Sequence, residues 1–133
     1  MTHLLDTTAL LAHFLDEVGA DQVDALLALG PDRIALAAPT WVELHTRLHE
    51  ILGGGPEMEA VFHDYTAVLT RMLPVDEAAI RAAIRLRTLT PGRLPLSDAL
   101  IAGTASAAGL ILVHRDAHFD TVPDLEILRL LDK

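Results

Sequence analysis

Four acidic residues, far apart along the chain, share one kind of local context in which they could do chemistry together. They are Asp6, Glu43, Asp98 and Asp116. Each is predicted to lie just after a strand or in the first turn of a helix. If the fold brings them together, their carboxylates repel and are costly to bury unpaired, so the cluster calls for a cation. Oxygen ligands in a chain without cysteine favour Mg²⁺ or Mn²⁺. Such an ion supports hydrolysis of phosphodiester bonds.

Each acid also has a structural explanation when it is taken alone. Asp6 precedes a predicted helix and can act as its N-cap. Thr40 and Glu43 fit the capping-box spacing, in which the glutamate reaches back to the threonine backbone. Asp98 suits a helix start because the helix dipole favours an acid there. Asp116 can be a turn residue. The sequence leaves both interpretations open for each residue.

The elements that must position these acids follow from apolar periodicity, which alternates between strand and helix patterns. Strands are predicted at 2–5, 33–38, 73–75, 110–114 and 125–130. Helices are predicted from Thr7, at 21–29, from Thr40 to 52, and at 58–72, 76–89 and 97–109. Nearly continuous apolar strands that alternate with helices indicate a parallel sheet covered on both faces. Ligands bind such sheets beyond the carboxyl ends of the strands.

Helical spacing also predicts which side chains face the core. Leu15 and Val18 are expected on the buried face of the first helix, and Ile80 and Ile84 on that of the fifth. The helix at 58–72 carries a long apolar stripe. The last helix is so rich in small residues that it should pack closely against a neighbour.

Composition limits the class of protein. The chain has 133 residues, which fits a single domain at 1–133, and it is 51% hydrophobic with a net charge of −9. That charge argues against unassisted binding of nucleic acid over a broad face. The longest uncharged run has 15 residues and two glycines, too short for a membrane span. The amino terminus lacks the features of a signal peptide, so a cytoplasmic protein without a membrane partner is expected.

Four sequence blocks, in order along nearly the whole chain, resemble those of a known family. The blocks are LLDTTALLAHF, APTWVELHTRL, LPLSDALIAGTASAAG and LVHRDAHFD. They contain Asp6, Glu43, Asp98 and Asp116, one each. They resemble the PIN domain, and more narrowly the VapC-like toxin ribonucleases of type II toxin–antitoxin pairs.

The resemblance implies a three-layer α/β/α sandwich around a mainly parallel sheet of about five strands. It also implies endoribonuclease activity that depends on Mg²⁺ or Mn²⁺. In that interpretation Asp6 and Asp98 bind the metal directly, while Glu43 and Asp116 hold a second ion or position water. The implied partners are an RNA substrate, a cognate VapB-like antitoxin and a second copy of the chain in a homodimer. The apolar helix at 58–72 would contribute to the dimer.

Four further residues are weaker candidates for contacts around the metal or the substrate. By the resemblance, Thr8 and Thr104 match positions where a small hydroxyl residue is common. Arg115 can contact phosphate or pair with the aspartate that follows it, and the ion pair is favoured. Asp120 is either a fifth acid at the edge of the cleft or a cap for the next segment.

Two pairs of histidines suggest metal sites other than the acidic one. His45 and His49 have the i, i+4 spacing of helical zinc sites, but the glutamate of the HExxH motif is missing, which favours an exposed helix face. His114 and His118 flank Asp116 and suggest a His/Asp transition-metal site. The favoured alternative is a pair of turn histidines that contact substrate or solvent.

Two other functions remain open beside the toxin ribonuclease. One is a PIN-fold nuclease that processes RNA and has no antitoxin. The other is a PIN-fold protein that binds a partner and has little catalytic activity. The intact set of four acids speaks against the second alternative.

Overall fold

The computed structural model describes residues 2–130, in which five strands alternate with six α-helices. The strands are β1 His3–Leu5, β2 Ile34–Ala37, β3 Met72–Leu73, β4 Ile111–His114 and β5 Ile127–Arg129. The helices are α1 Thr7–Phe14, α2 Ala20–Leu27, α3 Ala38–Leu52, α4 Pro56–Val68, α5 Glu77–Leu89 and α6 Leu96–Ala108, with a 3-10 helix at Ala117–Phe119. Across residues 2–130, no helix combines the length and apolarity needed to cross a membrane.

The strands form one parallel sheet in the order β3-β2-β1-β4-β5. The chain builds outward from β1 through β2 to β3, and then returns to place β4 and β5 on the other side of β1. The strand order therefore switches direction between β1 and β4, which is where open parallel sheets form their binding crevice. The predicted parallel sheet of five strands is confirmed.

Alternation of side chains along the strands creates a core on each face of the sheet. Leu4 and Leu112 point into one core, where they pack with residues of α5 and α6. Leu5 and Val113 point into the other, where they pack with residues of α1 to α4. The three-layer α/β/α sandwich implied by the family resemblance is therefore confirmed.

Helix α6 packs closely against α5, as its small residues predict. A Cβ atom at Gly103 would lie 2.4 Å from the carbonyl oxygen of Ala79 and 2.8 Å from Cβ of Ala83. Because this close approach uses alanines, two of the larger side chains of α5 lie outside the interface. Ile80 and Ile84 are 39% and 63% exposed, so their predicted inward orientation is wrong.

Two helices are shorter than their apolar patterns predict. Helix α1 ends before Leu15, and the aspartate that follows Leu15 takes a left-handed φ of 53°, which a helix cannot continue. Leu15 and Val18 are consequently exposed rather than buried. Helix α4 ends at Val68, and Met72 belongs to β3, where it is exposed. The predicted helix at 58–72 is therefore a helix followed by a short edge strand.

Candidate active site

The four predicted acids line one cavity of about 310 Å³ at the carboxyl ends of the central strands. Asp6 directly follows β1, and Asp116 follows β4 after one intervening residue. Asp98 lies in the first turn of α6, and Glu43 lies further along α3. The structure thus brings together the four residues that the sequence separates by as much as 110 positions.

Asp6 is the most deeply buried of the four, with 2% of its surface exposed. It caps helix α1, where its carboxylate accepts hydrogen bonds from the Ala9 backbone N–H at 2.9 Å and from the Thr8 hydroxyl at 2.7 Å. Burial raises the pKa of Asp6 to about 7, and the charges of Asp116 and Asp98 push in the same direction. The two hydrogen bonds oppose that rise. In the absence of a cation, this carboxyl group gives up its proton reluctantly.

Thr8 ties the end of β4 to the buried carboxylate. Its hydroxyl donates to Asp6 and accepts a hydrogen bond from the backbone N–H of Arg115 at 2.8 Å. A small hydroxyl residue suits this position because its single oxygen atom donates and accepts at once. The predicted position of Thr8 beside the acids agrees with the structure.

Glu43 is held by two hydroxyl groups from different parts of the chain. Its carboxylate accepts hydrogen bonds from Thr7 at 2.7 Å and from Ser97 at 2.9 Å. Helix α3 begins at Ala38 because a proline in its first turn favours an early start. Thr40 is therefore inside the helix, and the capping box with Glu43 does not form. Glu43 instead faces the cavity and bridges α1 to α6.

Asp98 and Asp116 meet at the imidazole of His118. Its Nδ1 atom lies 2.9 Å from Oδ2 of Asp98 and 3.1 Å from Oδ1 of Asp116. Burial raises the pKa of Asp98, the charge of Asp116 adds to the rise, and the hydrogen bond with His118 opposes it. One ligand atom from each of these residues lies within 4.8 Å of the other two, close enough to share a metal ion.

The two histidines that flank Asp116 occupy different environments. His114 is fully buried at the end of β4, so its prediction as a turn residue facing substrate or solvent is wrong. Its Nδ1 atom accepts the backbone N–H of Asp116 at 3.0 Å, and its ring packs edge-on against Phe119. Burial lowers the pKa of His114, which favours the neutral ring that this contact requires. His118, by contrast, is half-exposed at the mouth of the cavity.

Sequence reasoning missed several polar residues around the acids. Thr7 and Ser97 are adjacent in sequence to Asp6 and Asp98, and adjacency alone does not show that both bind the same glutamate. Arg47 lines the cavity as its cationic member within the described residues. Its position four residues after the predicted glutamate of the same helix was a usable signal, because such residues share a helix face.

Three weaker candidates do not line the acid cavity. Thr104 is buried on α6 beside the start of α5, in a separate small cavity. Asp120 forms an ion pair with Arg129 rather than joining the acids. Nη1 of Arg115 lies 3.3 Å from Oε1 of Glu17, so the ion pair seen for this guanidinium is not the predicted one with the neighbouring aspartate. The contacts seen for Thr104 and Asp120 thus do not involve the four acids.

The i, i+4 histidines of α3 lie outside the acid cavity. His45 lies 3.6 Å from Glu59 and packs edge-on against Phe62. His49 is exposed. Their interpretation as part of an exposed helix face, rather than a zinc site, agrees with these contacts.

A parallel α/β/α sandwich with carboxylates gathered at its strand ends defines the class of this protein. The chain belongs to the PIN domain family, since the sequence model of the PIN domain matches residues 3–125. Among curated relatives, it is 29% identical over 130 residues to the VapC ribonuclease Mb1587 of Mycobacterium bovis. The aligned region covers 90% of each chain. Ribonuclease VapC11 of Mycobacterium tuberculosis matches to the same extent.

Solved structures show the same fold. The toxin–antitoxin structure VapBC-5 of Mycobacterium tuberculosis contains a chain with a TM-score of 0.62 and 28% identity, covering 96% of this chain and 98% of that one. DNA-bound VapBC of Salmonella typhimurium contains a chain with a TM-score of 0.80 and 21% identity, covering 98% and 99%. At 21% identity, the likeness to the Salmonella typhimurium chain concerns the fold alone.

Proposed function

We propose that this protein is an endoribonuclease that hydrolyses RNA phosphodiester bonds with the help of Mg²⁺ or Mn²⁺. The observation that carries the proposal is the convergence of four carboxylates on one open cavity at the switch point of the sheet. Membership of the PIN family and similarity to two curated VapC ribonucleases support it.

The residues present fit a hard divalent ion. Asp98 and Asp116 offer oxygen atoms close enough to share one ion, and Asp6 and Glu43 face the same cavity. Burial is the main cause of the raised pKa of Asp6, and a bound cation would favour the ionised form of this carboxyl group. When bound, such an ion lowers the pKa of a water molecule and stabilises negative charge on a phosphate.

In this proposal, the side chains around the cavity have distinct roles in RNA hydrolysis. Asp6 and Asp98 would hold the ion, and Asp116 lies close enough to Asp98 to share it. Glu43 would hold a second ion or orient the attacking water. Thr7 and Ser97 fix the direction of the Glu43 carboxylate through their hydroxyl groups. Arg47 offers a positive group on the cavity wall for a phosphate of the substrate.

A single-stranded substrate suits this surface best. The net charge of −9 repels an extended duplex, so binding must depend on the cavity and its cations rather than on a basic face. An unpaired strand can bend its phosphate into the cavity, whereas the backbone of a duplex is held on its own helical path.

The decisive experiment follows cleavage of an end-labelled single-stranded RNA with Mn²⁺, with Mg²⁺ and with a chelator. Wild type should cleave only with an ion present, and Asp98→Asn should lose at least about 100-fold in rate, since the ion loses a charged ligand. Glu57→Gln, which neutralises an exposed acid on α4, should cleave like wild type. Equal cleavage by Asp98→Asn and wild type would contradict the assignment.

We further propose that the protein is the toxin of a pair with a VapB-like antitoxin. The support is the similarity to VapC ribonucleases and to a chain of the VapBC-5 toxin–antitoxin structure. Expression alone should arrest growth, and co-expression of the small protein encoded beside it should relieve the arrest. Arrest that the neighbour does not relieve would favour an RNA-processing nuclease without an antitoxin.

The homodimer stays a prediction, and the structure changes which residues could form it. Met58 and Tyr65 of α4 are buried in the chain's own core, so they are not available to a second copy. Val68 and Met72 remain exposed at the end of this segment. Light scattering would measure the oligomeric state directly.

A further inference from the structure

The contact between His118 and the two carboxylates has a geometry that differs from an ordinary surface ion pair. A single ring nitrogen, Nδ1, faces Oδ2 of Asp98 at 2.9 Å and Oδ1 of Asp116 at 3.1 Å. The backbone N–H of His118 also donates to Oδ1 of Asp116 at 2.9 Å. The imidazole is therefore anchored beside the acids by its own backbone as well as by its ring.

These distances are those of hydrogen bonds, and they also equal the spacing of adjacent ligands around a metal ion. An octahedral ion with ligands at about 2.1 Å places adjacent ligand atoms about 3 Å apart, because the ligands are separated by right angles. The two distances from Nδ1 both have that length. One oxygen from each aspartate and the nitrogen lie within 4.8 Å of one another, close enough for all three to bind the same ion.

Position and chemistry also suit the histidine to this role. It lies in the 3-10 helix that begins just after Asp116, so the chain path after β4 delivers both residues to the cavity mouth. Its side chain is 47% exposed, so the ring lies at the mouth of the cavity where solvent reaches it. With the ring hydrogen on Nε2, the lone pair of Nδ1 points toward the two carboxylates.

We propose that His118 is a nitrogen ligand of the metal site and makes the protein prefer Mn²⁺ over Mg²⁺. The inference rests on the proposed function, which supplies the ion. Mn²⁺ binds oxygen ligands well and is the weakest binder of the transition-metal series, but it accepts an imidazole nitrogen more readily than Mg²⁺, which binds mainly oxygen. A site with three or four carboxylates and one imidazole should therefore bind both ions and discriminate between them.

The first test is spectroscopic and does not depend on catalysis. The full chain is loaded with less than one equivalent of Mn²⁺, and pulsed electron paramagnetic resonance measures coupling of the ion to ¹⁴N. Wild type should show imidazole nitrogen coupling, and His118→Gln should lose it. His63→Gln is the matched control, since His63 is an exposed histidine of α4 outside the cavity, and it should keep the signal.

The second test is calorimetric titration of the same proteins with each ion. His118→Gln should bind Mn²⁺ at least about 10-fold more weakly than wild type, whereas its affinity for Mg²⁺ should fall less. The ratio of Mn²⁺ affinity to Mg²⁺ affinity should therefore be smaller in the variant. Circular dichroism checks that each variant is folded, which the half-exposed position of His118 leads us to expect.

Three results would overturn the proposal. Bound Mn²⁺ without nitrogen coupling would show that His118 is not a ligand, and so would the absence of any Mn²⁺ binding. Tighter Mn²⁺ binding by His118→Gln would show that the imidazole competes with the ion for the two aspartates. RNA cleavage is measured on the same samples, so nitrogen coupling without cleavage would refute the nuclease and leave the ligand role standing.

Discussion

The buried carboxyl group of Asp6 should make the ion-free protein lose stability as pH rises. The pKa of Asp6 is raised from its usual 3.8 to about 7, a change of about three units. Each unit corresponds to about 1.4 kcal/mol, so ionising this group in the folded protein costs about 4 kcal/mol. The side chain is almost fully buried, and water therefore screens little of that cost.

The direction of the pH effect follows from which state holds the proton. Between about pH 4 and pH 7, the folded protein keeps the proton on Asp6 while the unfolded chain has released it. The contribution to stability is thus complete below pH 4 and lost as pH rises through 7. Asp6→Asn has no proton to lose, and asparagine caps a helix about as well as aspartate, so this variant should lack the part of the pH dependence that Asp6 causes.

The assay is urea unfolding in the presence of a chelator at several pH values from 4 to 8. The single tryptophan, Trp41, packs edge-on against Phe62 and reports the transition by fluorescence. The difference in unfolding free energy between wild type and Asp6→Asn should change by up to about 4 kcal/mol over this range.

A second helix-capping aspartate provides a control that separates the effect of burial on stability from the effect of capping. Asp76 caps α5 through the same contact, from its carboxylate to the backbone N–H of Ala79 at 2.9 Å, but it is exposed to water. Asp76→Asn should therefore keep the pH dependence of wild type. If the Asp6→Asn curve runs parallel to that of wild type, the buried acid does not carry the proposed cost.

Adding Mn²⁺ at pH 7 should stabilise wild type more than Asp6→Asn, because the ion binds the folded, ionised site.

Three further predictions test the surroundings of the site. Ser97→Ala removes one of the hydroxyls that orient Glu43 and should weaken Mn²⁺ binding by about 10-fold or more in calorimetry, whereas Ser97→Thr should restore it. Gly103→Ala places a methyl group against the Ala79 carbonyl and should cost about 1–3 kcal/mol in urea unfolding; unchanged stability would mean that the two helices can separate at no cost. Thr104→Ala should leave the rate of RNA cleavage within about two-fold of wild type, because this hydroxyl lies outside the acid cavity and bonds within its own helix; a large loss would return it to the site.

The sequence by itself determined the class of fold and the identity of the converging acids. Strand and helix periods are properties of neighbouring residues, so apolar spacing was enough to place five strands and six helices. A parallel sheet then forces its strand ends to one edge, which is why Asp6 and Asp116 could be expected to meet. The same local signals failed where packing decides, as at Ile80 and Ile84, because close approach at Gly103 lets alanines replace larger side chains in the interface.

Tertiary structure alone decided which polar groups hold the acids. Glu43 has the spacing of a helix cap, yet its partners are hydroxyls 36 and 54 residues away, and no local pattern encodes a contact at that distance. The same is true of His118, whose role depends on how the chain turns after β4 and brings its ring to Asp98. The environment of the site comes from residues that are distant in sequence and become neighbours only when the chain folds. These residues together set its charge, burial and hydrogen bonding. The sequence named the four carboxylates, and the fold supplied the environment that sets their protonation and their orientation.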